Sequence, residues 1–132
     1  IIIRRLVRDL NFPVEIIVAP IIREADGLAM SSRNVRLSPA ERRAALGLSR
    51  ALSLAQAAFA QGERDSAAVR GRMERALTAS GLRIDYVATV DGATLQPAAT
   101  LAAGVLVALA AYAGETRLID NCLLEPPCGT RT

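Results

Sequence analysis

The sequence predicts an α+β domain, and three observations carry that reading. Between positions 38 and 62, and again between 66 and 80, apolar residues recur at three- and four-residue steps, the period of a helix with one buried face. After Gly81 the period drops to two: Ile84, Tyr86, Ala88 and Val90 alternate with Arg83, Asp85, Val87 and Thr89, as in a half-buried strand. Asp91-Gly92 then signals a turn. At 132 residues the chain suits one modest domain able to bury a core.

The elements follow in order. Residues 1–11 read as the end of a helix, with Leu6 and Leu10 four apart and arginines on the other side. Phe12-Pro13 breaks it, because proline lacks an amide donor and restricts the residue before it. Val14 to Ala19 is a short β-branched apolar run that fits a buried parallel strand. Helix then strand is half of an α/β unit. Residues 23–37 form a long exposed loop between rigid elements. Ser38 can cap the next helix, Pro39 suits its first position, and Glu41 stands where a capping box wants it. Ala45, Leu48, Leu52, Ala55 and Phe59 make its apolar stripe, and Gly62 stops it. A second helix, Ser66 to Ser80, aligns Val69, Met73 and Leu77 before Gly81. From Gly104 to Tyr112 composition leaves two readings open: the alanines favour helix and the Val-Leu-Val centre favours strand. The tail 125–132 is expected to fray. No internal repeat is evident.

Composition narrows the chemistry. The sixteen basic residues are all arginine, with no lysine and no histidine. The chain therefore offers no imidazole base or metal ligand, and no lysine nucleophile. Tyr86 and Tyr112 are the only phenols, and Cys122 and Cys128 the only thiols. A self-contained enzyme is not expected from this set. The net charge of +3 is mild and aromatics are 3%, which argues against a nucleic-acid binder. Two cysteines six apart match neither a zinc spacing nor the usual redox pair, so incidental thiols in a reducing cytoplasm are expected. The apolar run from Leu101 to Ala113 is too short to span a bilayer, which takes roughly 20 residues. The chain starts Ile1-Ile2-Ile3 without methionine, which suggests an expressed fragment, a processed product or a portion of a longer protein.

The loop carries the functional signal. Ser31, Ser32 and Arg33 put two hydroxyls and a guanidinium side by side, with Gly27 just upstream. Hydroxyls and a planar fork of donors suit phosphate oxygens. On its own the trio reads as a solvated surface loop. The whole string changes that. Arg8-Asp9-Leu10-Asn11-Phe12-Pro13-Val14-Glu15, then Pro20-Ile21-Ile22-Arg23-Glu24-Ala25-Asp26-Gly27-Leu28-Ala29-Met30-Ser31-Ser32-Arg33-Asn34, resembles the pantothenate synthetase (pantoate–β-alanine ligase) family. A weaker echo follows at Thr116-Arg117-Leu118-Ile119-Asp120-Asn121. The likeness runs from Ile3 to Leu124 and corresponds to the carboxyl-terminal part of a family protein.

The resemblance implies a division into 1–22, the last helix–strand piece of a Rossmann-like nucleotidyltransferase domain; 23–37, an ATP-binding loop and hinge; 38–124, a lid domain of two main helices on a small antiparallel three-stranded sheet; and the tail. It settles 104–112 as strand, with Gly114-Glu115 turning into a last strand. It implies ligation of pantoate to β-alanine through an acyl adenylate, with ATP as substrate, Mg2+ alongside it, and release of AMP and pyrophosphate. ATP binding falls to Ile22, Met30, Ser31, Ser32 and Arg33. Ala29 occupies a position that is lysine in the related Lys-Met-Ser-Lys-Ser loops, and Gly27 lets the loop close. Asp26 and Asn34 are expected to shape the loop by hydrogen bonds; Arg23 and Arg36 to be surface charges or supporting partners. The family's His-x-Gly-His signature has no counterpart, so no catalytic residue and no metal ligand is assigned, and the isolated chain is expected to be inactive. A homodimer is implied for the full-length protein, in the cytoplasm. The alternative is a non-catalytic assembly or regulatory module that has lost ATP binding; a basic interaction protein rests on arginine content alone.

Overall fold

The computed structural model describes residues 1–125. Three α-helices, one 3-10 turn and a three-stranded sheet follow one another: α1 (Ile2–Asp9), the 3-10 turn (Ser32–Arg36), α2 (Pro39–Ala60), α3 (Ser66–Ala79), β1 (Arg83–Asp91), β2 (Val105–Ala113) and β3 (Thr116–Leu123). The sheet is antiparallel in the order β1-β2-β3. Helix α3 packs on β1, and α2 on β2 and β3, so the core lies between one helical layer and one face of the sheet.

Local chemistry starts both long helices. The Ser38 hydroxyl accepts from the Glu41 N–H at 3.3 Å and the Ser38 N–H donates to Glu41 Oε2 at 2.8 Å, a reciprocal cap that satisfies two otherwise orphaned donors. Asp65 caps α3 by accepting from the N–H groups of Ala67 and Ala68. The stripes then meet as expected: Leu48, Leu52 and Phe59 of α2 join Val69, Met73 and Leu77 of α3 in one buried cluster. Gly47 lets the two helices approach, since a Cβ there would sit 2.7 Å from the Ser80 side chain.

Strand β2 is the middle of the sheet, paired from Val105↔Asp91 to Tyr112↔Arg83 on one side and from Leu106↔Leu123 to Ala113↔Thr116 on the other. Val105, Val107, Leu109 and Ala111 face the core and are buried, while Leu106, Ala108 and Tyr112 on the other face are only partly covered. In β1 the register slips between Ile84 and Tyr86. The slip inverts the facing: Val87 and Thr89 are buried, while Tyr86 is exposed. Alternation alone carries no information about such a bulge.

The amino-terminal stretch departs from expectation. Helix α1 forms but buries none of its residues. The strand expected at Val14 to Ala19 is absent, and its residues are exposed. A strand needs a neighbour for its backbone hydrogen bonds, and none of the three strands of the sheet pairs with this run. The tail 126–132, with Cys128, lies outside the described residues; Glu125 is exposed.

Candidate functional site

The loop between α1 and α2 is folded on itself and fastened to the domain. An antiparallel bridge joins Arg23 to Ala29, flanked by bonds from the Met30 N–H to the Ile22 carbonyl at 2.9 Å and from the Glu24 N–H to the Leu28 carbonyl at 2.8 Å. Leu28 is buried in the core at the tip of this turn. Gly27 has φ +92°, a backbone state that side-chain-bearing residues rarely adopt. Its N–H donates to the Glu24 carbonyl and its own carbonyl accepts from Arg23, so it sits in a fastened turn.

Charged side chains anchor this turn. Arg42 of α2 reaches Glu24 at 2.5 Å and Asp26 at 2.8 Å. Asn34 is buried and donates both to Glu24 Oε1 at 2.6 Å and to the Ala29 carbonyl at 3.0 Å. Asp26 Oδ1 also accepts from the Leu28 N–H. Hydrogen bonds from Asn34 and then Arg42 hold the Glu24 carboxyl below the ordinary carboxylate range. The Leu28 N–H, seconded by Arg42, lowers that of Asp26. On the other side Arg23 grips Asp120 of β3 with two nitrogens, at 2.7 and 3.1 Å.

The phosphate-type trio stands at the far end of the loop. The Ser31 hydroxyl caps the 3-10 turn by accepting from the Arg33 N–H at 3.2 Å. A hydroxyl keeps its own proton when it accepts, so Ser31 can still donate outward. Arg33 gives one N–H to the Arg117 carbonyl at 3.2 Å and is exposed. Ser31 and Arg33 open onto a cleft of about 380 Å³ between the loop and β3, whose apolar floor includes Leu48 and Leu118. Met30 lines the same cleft and is 63% exposed. Ile22 and Ser32 are exposed but do not line it. Arg36 is exposed and makes no ion pair among the described residues.

Two further residues of the cleft received no role from the sequence. Arg117 lines it and is held by Asp85 of β1 at 2.7 Å; Asp120 forms part of its wall and is 4% exposed. Both stand in the last matching string, 116–121. That coincidence was the available signal. No group of three or more His, Cys, Asp or Glu residues that could hold a metal lies together among the described residues.

A family model for pantoate-beta-alanine ligase matches residues 1–123. The chain belongs to that family. It is 56% identical over 126 residues to the pantothenate synthetase of Moorella thermoacetica, covering 95% of this chain and 44% of the relative. To that of Heliobacterium modesticaldum it is 54% identical over 125 residues, with 94% and 44% covered. Among solved structures, pantothenate synthetase from Thermus thermophilus superimposes with a TM-score of 0.85 at 45% identity, over 94% of this chain and 45% of that one. The pantoate-beta-alanine ligase of Francisella tularensis, complexed with beta-gamma ATP and beta-alanine, gives a TM-score of 0.61 at 26% identity, over 92% and 38%. This ligase-family chain thus spans less than half the length of these relatives.

Proposed function

We propose that this chain is the carboxyl-terminal, ATP-gripping part of a ligase that condenses pantoate with β-alanine. The observation that carries the reading is the Ser31, Ser32, Arg33 segment, exposed beside an open cleft in a chain of this family. In the reaction a pantoate carboxylate oxygen attacks the α-phosphorus of ATP; the bond from that phosphorus to the bridging oxygen breaks and pyrophosphate leaves. The β-alanine amine then attacks the acyl carbon, loses a proton and expels AMP. Charge builds on the departing pyrophosphate, so donors fixed in place beforehand are what such a protein contributes.

In this reading Arg33 neutralises and orients the pyrophosphate, and Ser31 and Ser32 donate hydroxyls to phosphate oxygens. Met30 and Ile22, tied to each other through their backbones, offer apolar surface to the nucleotide. Asp26, Gly27 and Asn34 shape the loop that presents them. Mg2+ would accompany the triphosphate and share the neutralisation of its charge. Residues 1–22 are the end of a Rossmann-like domain, 23–37 the ATP-binding loop and 38–124 the lid, which close together on ATP; the histidines and other groups that hold the phosphates and pantoate belong to the amino-terminal part. The full-length protein acts as a homodimer in the cytoplasm. Among the described residues no helix is long and apolar enough to cross a membrane.

The test is Arg33→Ala in the full-length ligase, read as pyrophosphate release at saturating pantoate. Removal of one such fixed donor is expected to slow that step by about 10²- to 10³-fold. An unchanged rate and unchanged ATP affinity would overturn the reading and favour a module without ATP binding.

A further inference from the structure

The segment that presents Ser31 and Arg33 is joined to the rest of the chain by more than its two ends. Arg23 opens the segment and Asp120 lies in β3, 97 positions later. Asp120 is nearly out of solvent, and each of its oxygens is occupied: Oδ2 by Arg23 Nη1, and Oδ1 by Arg23 Nη2 and the Asn121 N–H at 2.8 Å. A two-pronged guanidinium–carboxylate pair fixes orientation as well as distance, which a single contact does not. The same Arg23 nitrogen that meets Asp120 also donates to the Gly27 carbonyl at 3.2 Å. One side chain therefore links the sheet to the apex of the loop.

We propose that Arg23 and Asp120 are positioning residues: a latch that holds the phosphate-facing loop on the sheet, so that loop and sheet travel as one body. This rests on the reading of Ser31 and Arg33 as ATP ligands. Its consequence concerns where closure bends the chain. Gly27 is bonded at both its N–H and its carbonyl, and Arg42 ties the two neighbouring acids to α2. Pro20 and Ile21, by contrast, lie between the run read as the end of the Rossmann-like domain and the backbone bond from Met30 to Ile22, are exposed and belong to no regular element. The chain swings there, before Arg23. Arg33 then reaches the triphosphate only when the whole domain closes, and its aim is set by how firmly the latch holds.

Arg23→Lys keeps the positive charge but removes the fork; Asp120→Asn keeps the shape but removes the charge. Both are to be made in the full-length ligase beside Arg33→Ala, with three readouts. Pyrophosphate release should slow roughly tenfold in Arg23→Lys at saturating ATP. Consumption of preformed pantoyl adenylate by β-alanine should stay within twofold of the parent, a split that general loss of folding would not produce. Amide hydrogen exchange at Glu24, Gly27 and Met30 should accelerate, while β2 stays protected. Arg23 is partly exposed, so its lysine variant keeps the test open should Asp120→Asn fail to fold. If Arg33→Ala slows pyrophosphate release and Arg23→Lys leaves both that rate and the loop exchange unchanged, the latch is wrong and the ATP reading stands. If Arg33→Ala has no effect either, the ATP reading has failed, and the latch as a positioning device falls with it.

Discussion

At the scale of single residues, the side chains of this protein divide by how their charge is answered. Asp120 is buried and fully hydrogen-bonded; taking away one partner of such a pair leaves an uncompensated charge, costly by roughly 3–5 kcal/mol in comparable cases. Arg33 is the opposite case, an exposed guanidinium with one bond to a backbone carbonyl and donors to spare. Cys122, partly buried, shows desolvation acting on a thiol. Desolvation, helped by the nearby Asp120 charge and opposed by Arg23, pushes its thiol up to about 11. A raised thiol value means that the neutral form persists up to that pH, and only the thiolate attacks alkylating agents. At pH 8 Cys122 should therefore label roughly a hundredfold more slowly than an ordinary cysteine, and reach the ordinary rate on unfolding. Peptide-resolved mass spectrometry after iodoacetamide pulses checks this; native labelling as fast as a free thiol would refute it.

At the scale of elements, the start of α2 joins helix, hairpin and loop. Glu41 completes the capping box with Ser38, and a methyl group on Gly114, in the β2–β3 turn, would run into its carboxylate. Arg42, next in sequence, holds Glu24 and Asp26. The first turn of α2 thus orients both the strand hairpin and the loop. Ser38→Ala should cost about 1 kcal/mol, the usual worth of such a cap, and lower Tm by a few degrees. Calorimetry against the parent measures it, and an unchanged Tm would show that packing alone holds the helix start. The cap was legible because serine and glutamate stand three apart, within one turn. The Asp65 cap obeys the same local rule. The bulge in β1 was not legible: its slip between Ile84 and Tyr86 depends on how β2 lies alongside.

At the scale of the whole molecule, most of the described chain is a packed domain and the amino-terminal stretch is an exposed arm. The buried apolar residues between Leu28 and Leu124 form one core, whereas Ile2, Ile3, Leu6, Leu10, Phe12 and Ile17 lie open to solvent. Apolar surface of that extent marks a site of association. In the proposed reading it packs against the amino-terminal part of the ligase, which also brings the histidines absent here. The isolated 132-residue chain should accordingly form no measurable pantothenate from pantoate, β-alanine and ATP. A pantothenate-formation assay decides this, and steady turnover by the chain alone would sink the proposal.

What the sequence by itself determined is everything set within a few residues along the chain: the capped helices with their apolar stripes, the glycine turns, and the string that places the chain in its family. These follow from side-chain spacing and backbone preference, which need no knowledge of the rest of the fold. The tertiary structure alone decided which face of β1 turns inward, that Val14 to Ala19 has no strand to pair with, and that Arg23 reaches Asp120 across 97 positions. Each of these depends on a partner from a distant part of the chain, and such partners are chosen by the packing of the core.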